Sequence, residues 1–87
     1  MPSIDCEVVN IKGMHARAAA KIVALVCDYQ CSVTLNHGDK SAPGDSLIKL
    51  LTLNAPKGSL ICIEASGDDA DAFLQAIQLL FAEGFGE

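Results

Sequence analysis

The sequence predicts an α+β fold: an open-faced β-sandwich of order βαββαβα, its four-stranded, mostly antiparallel sheet covered on one face by three helices. Three observations lead there. Runs with the two-residue period of a strand interleave with stretches of helical period, and turn residues separate them. The chain has 87 residues, enough for one compact domain and too few for two, so residues 1–87 are expected to form a single domain. Helices apolar on one side must lay that side on one face of the sheet, leaving the sheet's other face to water.

The elements follow in order. Ile4–Val9 alternates apolar and polar residues, the pattern of a half-buried strand, and Asn10 to Gly13 break it. Ala16–Cys27 is almost wholly small or aliphatic, yet Arg17, Lys21 and Asp28 recur at helical spacing with Ala24 among them and Ala20 beside them, which marks one wet stripe on a buried helix. Cys31–Asn36 alternates again, and His37-Gly38-Asp39 supplies turn chemistry, which makes His37 a solvent-facing loop residue. Lys40–Ala42 completes a hairpin, with Pro43 suited only to an edge or a strand end. Ser46 is placed to cap a short helix over Leu47–Leu53. Ser59–Ala65 is apolar enough for a central strand. Asp68, Asp69 and Asp71 crowd the start of the last helix, where the dipole favours negative charge. Ala70, Phe73, Leu74, Ile77, Leu80 and Phe81 form its buried stripe, and Gly84 stops it.

Composition excludes several classes of function. Hydrophobic residues make up 51% of the chain, sufficient for a core without metal or disulfide staples. No apolar run is long enough for a membrane span and no basic-then-apolar leader opens the chain, so a soluble cytoplasmic protein is expected. The net charge of -5 is uneven: all six bases lie within residues 1–57, and everything from Gly58 onward carries acids alone. The broad basic surface of a nucleic-acid binder is lacking, and a small basic patch suits an acidic protein partner instead. Four cysteines sit in strand-like runs (Cys6, Cys31, Cys62) or close a helix (Cys27), and no CxxC pair occurs. They are expected as free, buried, small hydrophobes in a reducing compartment, with no metal site.

One stretch, Gly13-Met14-His15-Ala16-Arg17-Ala18, joins reactive chemistry to an anion-friendly backbone. Gly13 permits a sharp loop and the helix starts directly after His15. The imidazole then lies at or next to the N-cap, where the first backbone N–H groups, those of Ala16, Arg17 and Ala18, lack intrahelical partners. The positive end of the helix disfavours an imidazolium and favours a neutral, nucleophilic ring. Arg17 adds a planar cation for phosphate oxygens. Spacing alone fits equally well a histidine that merely caps a helix, beside a solvated arginine.

The six-residue string closely resembles the active-site motif of the histidine-containing phosphocarrier (HPr) family: glycine, an aliphatic residue, histidine, a small residue, arginine, then usually proline. The resemblance runs the length of the chain. Ser46-Leu47-Ile48 is similar to the family's regulatory-serine region, Ala55-Pro-Lys-Gly58 to its lead-in to the last strand, and Ala65-Ser-Gly67 and Glu83-Gly-Phe-Gly-Glu87 also match. It implies a phosphoryl carrier without turnover of its own and without a cofactor. His15 would accept phosphate through Nδ1 from phosphorylated enzyme I, with Arg17 as its electrostatic partner. It would then pass the phosphate to an enzyme IIA component, in sugar uptake or in a nitrogen-related regulatory branch. The implied docking surface comprises Ala20 and Lys21 on the first helix and Leu47, Ile48, Lys49 and Leu51 on the second, with Leu50 turned to the core. The resemblance also points to a serine kinase acting on Ser46, although a helix cap explains that serine by itself. A monomer is expected. Ala18 departs from the usual proline: it gives up a preset backbone angle and keeps one N–H near the phosphate, and transfer is expected to survive. Without the resemblance, a small effector-binding domain, or an interaction module sensing oxidation through Cys27 and Cys31, would be the competing readings.

Overall fold

Ser3–Glu7 (β1), Ser32–His37 (β2), Lys40–Pro43 (β3) and Leu60–Ser66 (β4) form one sheet in the order β1-β4-β2-β3, every pairing antiparallel. The computed structural model describes residues 2–86. Alternation sets the two faces of the sheet. One inward row, Ile4-Ile63-Leu35-Ala42, crosses all four strands, and Ile63 and Leu35 within it are fully buried. The outward row Asp5-Cys62-Asn36-Ser41 is polar. There Asn36 Nδ2 donates to Glu64 Oε1 at 2.9 Å and Ser41 Oγ donates to Asn36 Oδ1 at 2.6 Å. Apolar β4 is central and β3, which ends on Pro43, is an edge, as the sequence requires.

Ala16–Cys27 (α1), Leu47–Leu51 (α2) and Ala70–Ala82 (α3) supply the covering layer. The stripe Ala70, Phe73, Leu74, Ile77, Phe81 faces inward as α3 packs on β1 and β4. α1 turns Ala18, Ala19, Ile22 and Val26 inward and packs against both other helices, while Arg17, Ala20, Lys21, Ala24 and Asp28 stay exposed. Aromatic pairs tie the covering layer together: Tyr29, just past α1, meets Phe73 of α3 edge-on at 5.7 Å, and Phe81 meets Phe85 at 4.8 Å. Each fully buried Ile, Leu or Phe contributes about 1.5–3 kcal/mol. Among the described residues no helix is long and apolar enough to cross a membrane.

Five sequence expectations need correction. β1 ends at Glu7 instead of Val9, because Val8 exchanges its hydrogen bonds with Gly58 and Ser59 in a loop. Cys31 precedes β2 and α2 stops at Leu51, where the Thr52 hydroxyl bonds back to the Lys49 carbonyl at 2.5 Å. Gly84 does stop α3, which ends at Ala82 with Glu83 as its C-cap and Gly84 at φ +62°; beyond it Gly84–Gly86 forms a 3-10 turn that buries Phe85. His37 closes β2 rather than facing solvent from a loop. It lies two residues beyond Leu35 on the inward side, and its Nδ1 is 2.9 Å from the Leu53 carbonyl, so Nδ1–H donates. All four cysteines are free, but only Cys6 is buried; Cys31 and Cys62 are half-buried and Cys27 is exposed. Cys27 falls about 20° from Ala20 around the helix, on the flank of the wet stripe.

Candidate functional site

The loop that leads into α1 is pinned from two sides. The Asn10 carbonyl accepts the Gly13 N–H at 3.1 Å, closing a turn over Ile11 and Lys12, and the buried Asn10 side chain donates from Nδ2 to the Gly13 carbonyl at 2.8 Å. The His15 N–H donates to that same carbonyl at 3.1 Å. From the other side, the Met14 N–H donates to the Ala55 carbonyl at 2.8 Å while the Met14 side chain enters the core. Gly13 has φ +66°, and a Cβ there would lie 2.5 Å from the Ala55 carbonyl oxygen and 2.9 Å from Pro56 Cα. Only glycine fits between these two stretches of backbone.

The chain therefore emerges at His15 in extended conformation, φ -112° and ψ -177°, as the N-cap of α1. The first helical rung runs from the Ala19 N–H to the His15 carbonyl at 2.9 Å. The N–H groups of Ala16, Arg17 and Ala18 precede that rung, and no acidic side chain occupies the first turn. Arg17 N–H donates to His15 Nδ1 at 3.3 Å. A backbone N–H can only donate, so Nδ1 must present its lone pair, and a proton on a neutral ring sits on Nε2. The nitrogen with nucleophilic capacity thus faces the positive end of a helix dipole. Ala16 and Arg17 are exposed, whereas the Ala18 methyl is fully buried.

Ala20 and Lys21 are exposed on the same side of α1 as Arg17. Lys21 also has an internal bond: its Nζ donates to the Phe85 carbonyl at 2.5 Å, tying α1 to the closing turn. On α2, Leu47 is 40% exposed, Ile48 75% and Leu51 37%, Lys49 is exposed, and Leu50 is fully buried. Since α1 packs against α2, the structure puts this apolar patch on the element next to the His15 helix. Ser46 is the N-cap of α2, its Oγ accepting the Lys49 N–H at 3.4 Å. Among the described residues no group of three or more His, Cys, Asp or Glu side chains converges as a metal site.

Sequence reasoning missed the supports of the site. Asn10 registers in the sequence only as a break in alternation, although an Asn three residues before a glycine is itself a turn signal. The carbonyl of Ala55 and the anchoring of Phe85 depend on contacts between distant parts of the chain, and no local pattern announces them.

Known proteins resemble the chain in both sequence and shape. Residues 2–83 match the family model described as the HPr component phosphorylation site of the PTS (phosphotransferase system). The phosphocarrier protein NPr of Proteus mirabilis is 48% identical over 79 residues, covering 90% of this chain and 88% of that protein. The phosphocarrier protein HPr of Pseudomonas aeruginosa is 33% identical and covers 100% of this chain and 98% of its own length. The crystal structure of an HPr from Thermoanaerobacter tengcongensis superposes with a TM-score of 0.94 at 26% identity, covering 100% of this chain and 98% of that one. A match of this extent, over a chain whose first helix starts on a capping histidine, places the protein in the HPr family of phosphotransferase-system phosphocarriers, as a carrier and not a catalyst.

Proposed function

We propose that His15 accepts a phosphoryl group on Nδ1 from phosphorylated enzyme I and passes it to a histidine of an enzyme IIA-type protein. The observation that carries this reading is the Nδ1 lone pair held toward the unladdered N–H groups of α1. In the forward step the lone pair turns from the Arg17 N–H to phosphorus. The Nδ1–P bond forms as the bond from phosphorus to its donor on enzyme I breaks, and that bond's electron pair leaves with the donor. At 3.3 Å the bond given up is at the long end of the hydrogen-bond range, so releasing it costs little. The Arg17 N–H, with those of Ala16 and Ala18, is then available to phosphoryl oxygens, and the Arg17 guanidinium adds a fixed positive charge. This is stabilisation by position, which is what phosphoryl transfer chiefly requires.

Docking falls to Ala20 and Lys21 of α1 and to Leu47, Ile48, Lys49 and Leu51 of α2. The chain acts as one cytoplasmic, monomeric unit, and its acceptor belongs either to sugar uptake or to the nitrogen-related branch. Ser46 is a candidate for a serine kinase: a phosphate there would suit the start of α2 yet set negative charge beside Lys49 and the apolar patch. To test the reading, the protein is incubated with enzyme I and phosphoenolpyruvate. An acid-labile, base-stable phosphate is expected, absent from His15→Ala, and label that persists in that variant would refute the assignment.

A further inference from the structure

We propose that Asn10 is a positioning residue for phosphoryl transfer, setting the height of the His15 ring over the α1 N-terminus through the Gly13 carbonyl. The inference rests on the reading of His15 as the acceptor. The Gly13 carbonyl is a shared acceptor: Asn10 Nδ2 reaches it at 2.8 Å and the His15 N–H at 3.1 Å. Whatever fixes that oxygen therefore fixes the acceptor of the His15 N–H, and through that bond the backbone from which the imidazole hangs. The turn would close through the Asn10 carbonyl and Gly13 N–H with any side chain at position 10. The side-chain amide holds the next peptide plane along the chain by its oxygen, as the Ala55 carbonyl holds the same plane by the Met14 N–H.

Asn10 is suited to this by its surroundings. It is buried, with only 6% of its surface exposed, so its bond to Gly13 is sheltered from competing water. A Cβ on Gly84 would lie 3.5 Å from Asn10 Cβ, which places the closing turn against it, and Lys21 Nζ holds that turn through the Phe85 carbonyl. The opposite flank of the loop is held by the Met14 N–H on the Ala55 carbonyl. Gly13 can thus move little in either direction, and His15 inherits that rigidity. Displacement of a reacting group by even about 1 Å can cost transfer up to a hundredfold.

The test uses the full chain labelled with 15N and 13C. In the native protein a scalar coupling is expected across the hydrogen bond from Asn10 Nδ2 to the Gly13 carbonyl carbon. Asn10→Asp keeps the shape but turns an acceptor toward that carbonyl, and Asn10→Ala removes the donor. Folded variants should shift the His15 ring-nitrogen and Arg17 amide resonances. They should also lower kcat for phosphate uptake from enzyme I by about tenfold, with KM changed less than about twofold. A merely structural role would lower thermal stability while leaving ring resonances and kcat at native values, and that outcome overturns the proposal. Absence of the coupling in the native protein overturns it even where neither variant folds. The ring-nitrogen readout needs no phosphate, so variants that show the shifts beside a native chain that takes no label would overturn the carrier reading, and with it the role in transfer, while the positioning of the ring by Asn10 would stand.

Discussion

Arg17 reaches His15 through its backbone: its N–H donates to the imidazole Nδ1 across 3.3 Å, so the helix start and the ring hold one another. Capping and nucleophilicity thus use one lone pair on one atom. Substitution can separate them.

His15→Asn keeps an oxygen able to accept the Arg17 N–H and is a strong N-cap type. Thermal denaturation should show stability unchanged or raised by up to about 0.5 kcal/mol. Phosphate uptake from enzyme I should vanish. A variant that unfolded readily would show the ring to matter for more than the cap.

Gly13→Ala meets both a positive φ and a backbone oxygen 2.5 Å from the new methyl. The expected cost is at least about 2 kcal/mol by denaturant titration, with amide shifts at Met14, His15 and Arg17. An unchanged midpoint would mean that the 55–56 loop yields.

Ile48→Asp replaces a side chain that is 75% exposed. Stability should stay within about 0.5 kcal/mol. Calorimetric affinity for enzyme I should fall about tenfold or more, as expected where an apolar contact at an interface centre is replaced by charge. Equal affinity would remove α2 from the docking surface.

The Cys62 thiol is pushed above the usual 9.0, first by burial, then by its hydrogen bond to Asp5 and the charges of Asp5 and Glu64. Cys6 is raised by burial and Asp5. The folded state therefore holds these protons more tightly than the unfolded chain. Their contribution to stability is whole below the ordinary thiol value and is lost as pH rises through the raised ones. Stability followed from pH 8 upward should decline above about 9, and Cys62→Ser should shrink the decline. Alkylation at neutral pH should mark exposed Cys27 before Cys62.

Local order was legible wherever a pattern repeats. The α3 stripe from Ala70 to Phe81, the α1 bounds and the edge placement of Pro43 all follow from periodicity and proline chemistry. His15 as a helix cap followed from a glycine, a histidine and a helical run in sequence. Ends were less legible. The Val8 bonds to Gly58 and Ser59 and the burial of Phe85 depend on partners far along the chain. His37 was misread because Gly38 and Asp39 signal a turn, while its own parity with Leu35, which points it inward, is a fact about the strand. Cys27 was misread because its composition was weighed and its angle was not.

The β1-β4-β2-β3 order pairs Ser3 with Glu64, so β1 is made well before its neighbour β4. On the ribosome, an emerging chain holds the histidine segment long before the stretch that braces it at Ala55 has appeared. Competence to be charged should therefore arrive late and abruptly during synthesis. Half-made copies would then divert none of the cell's phosphate.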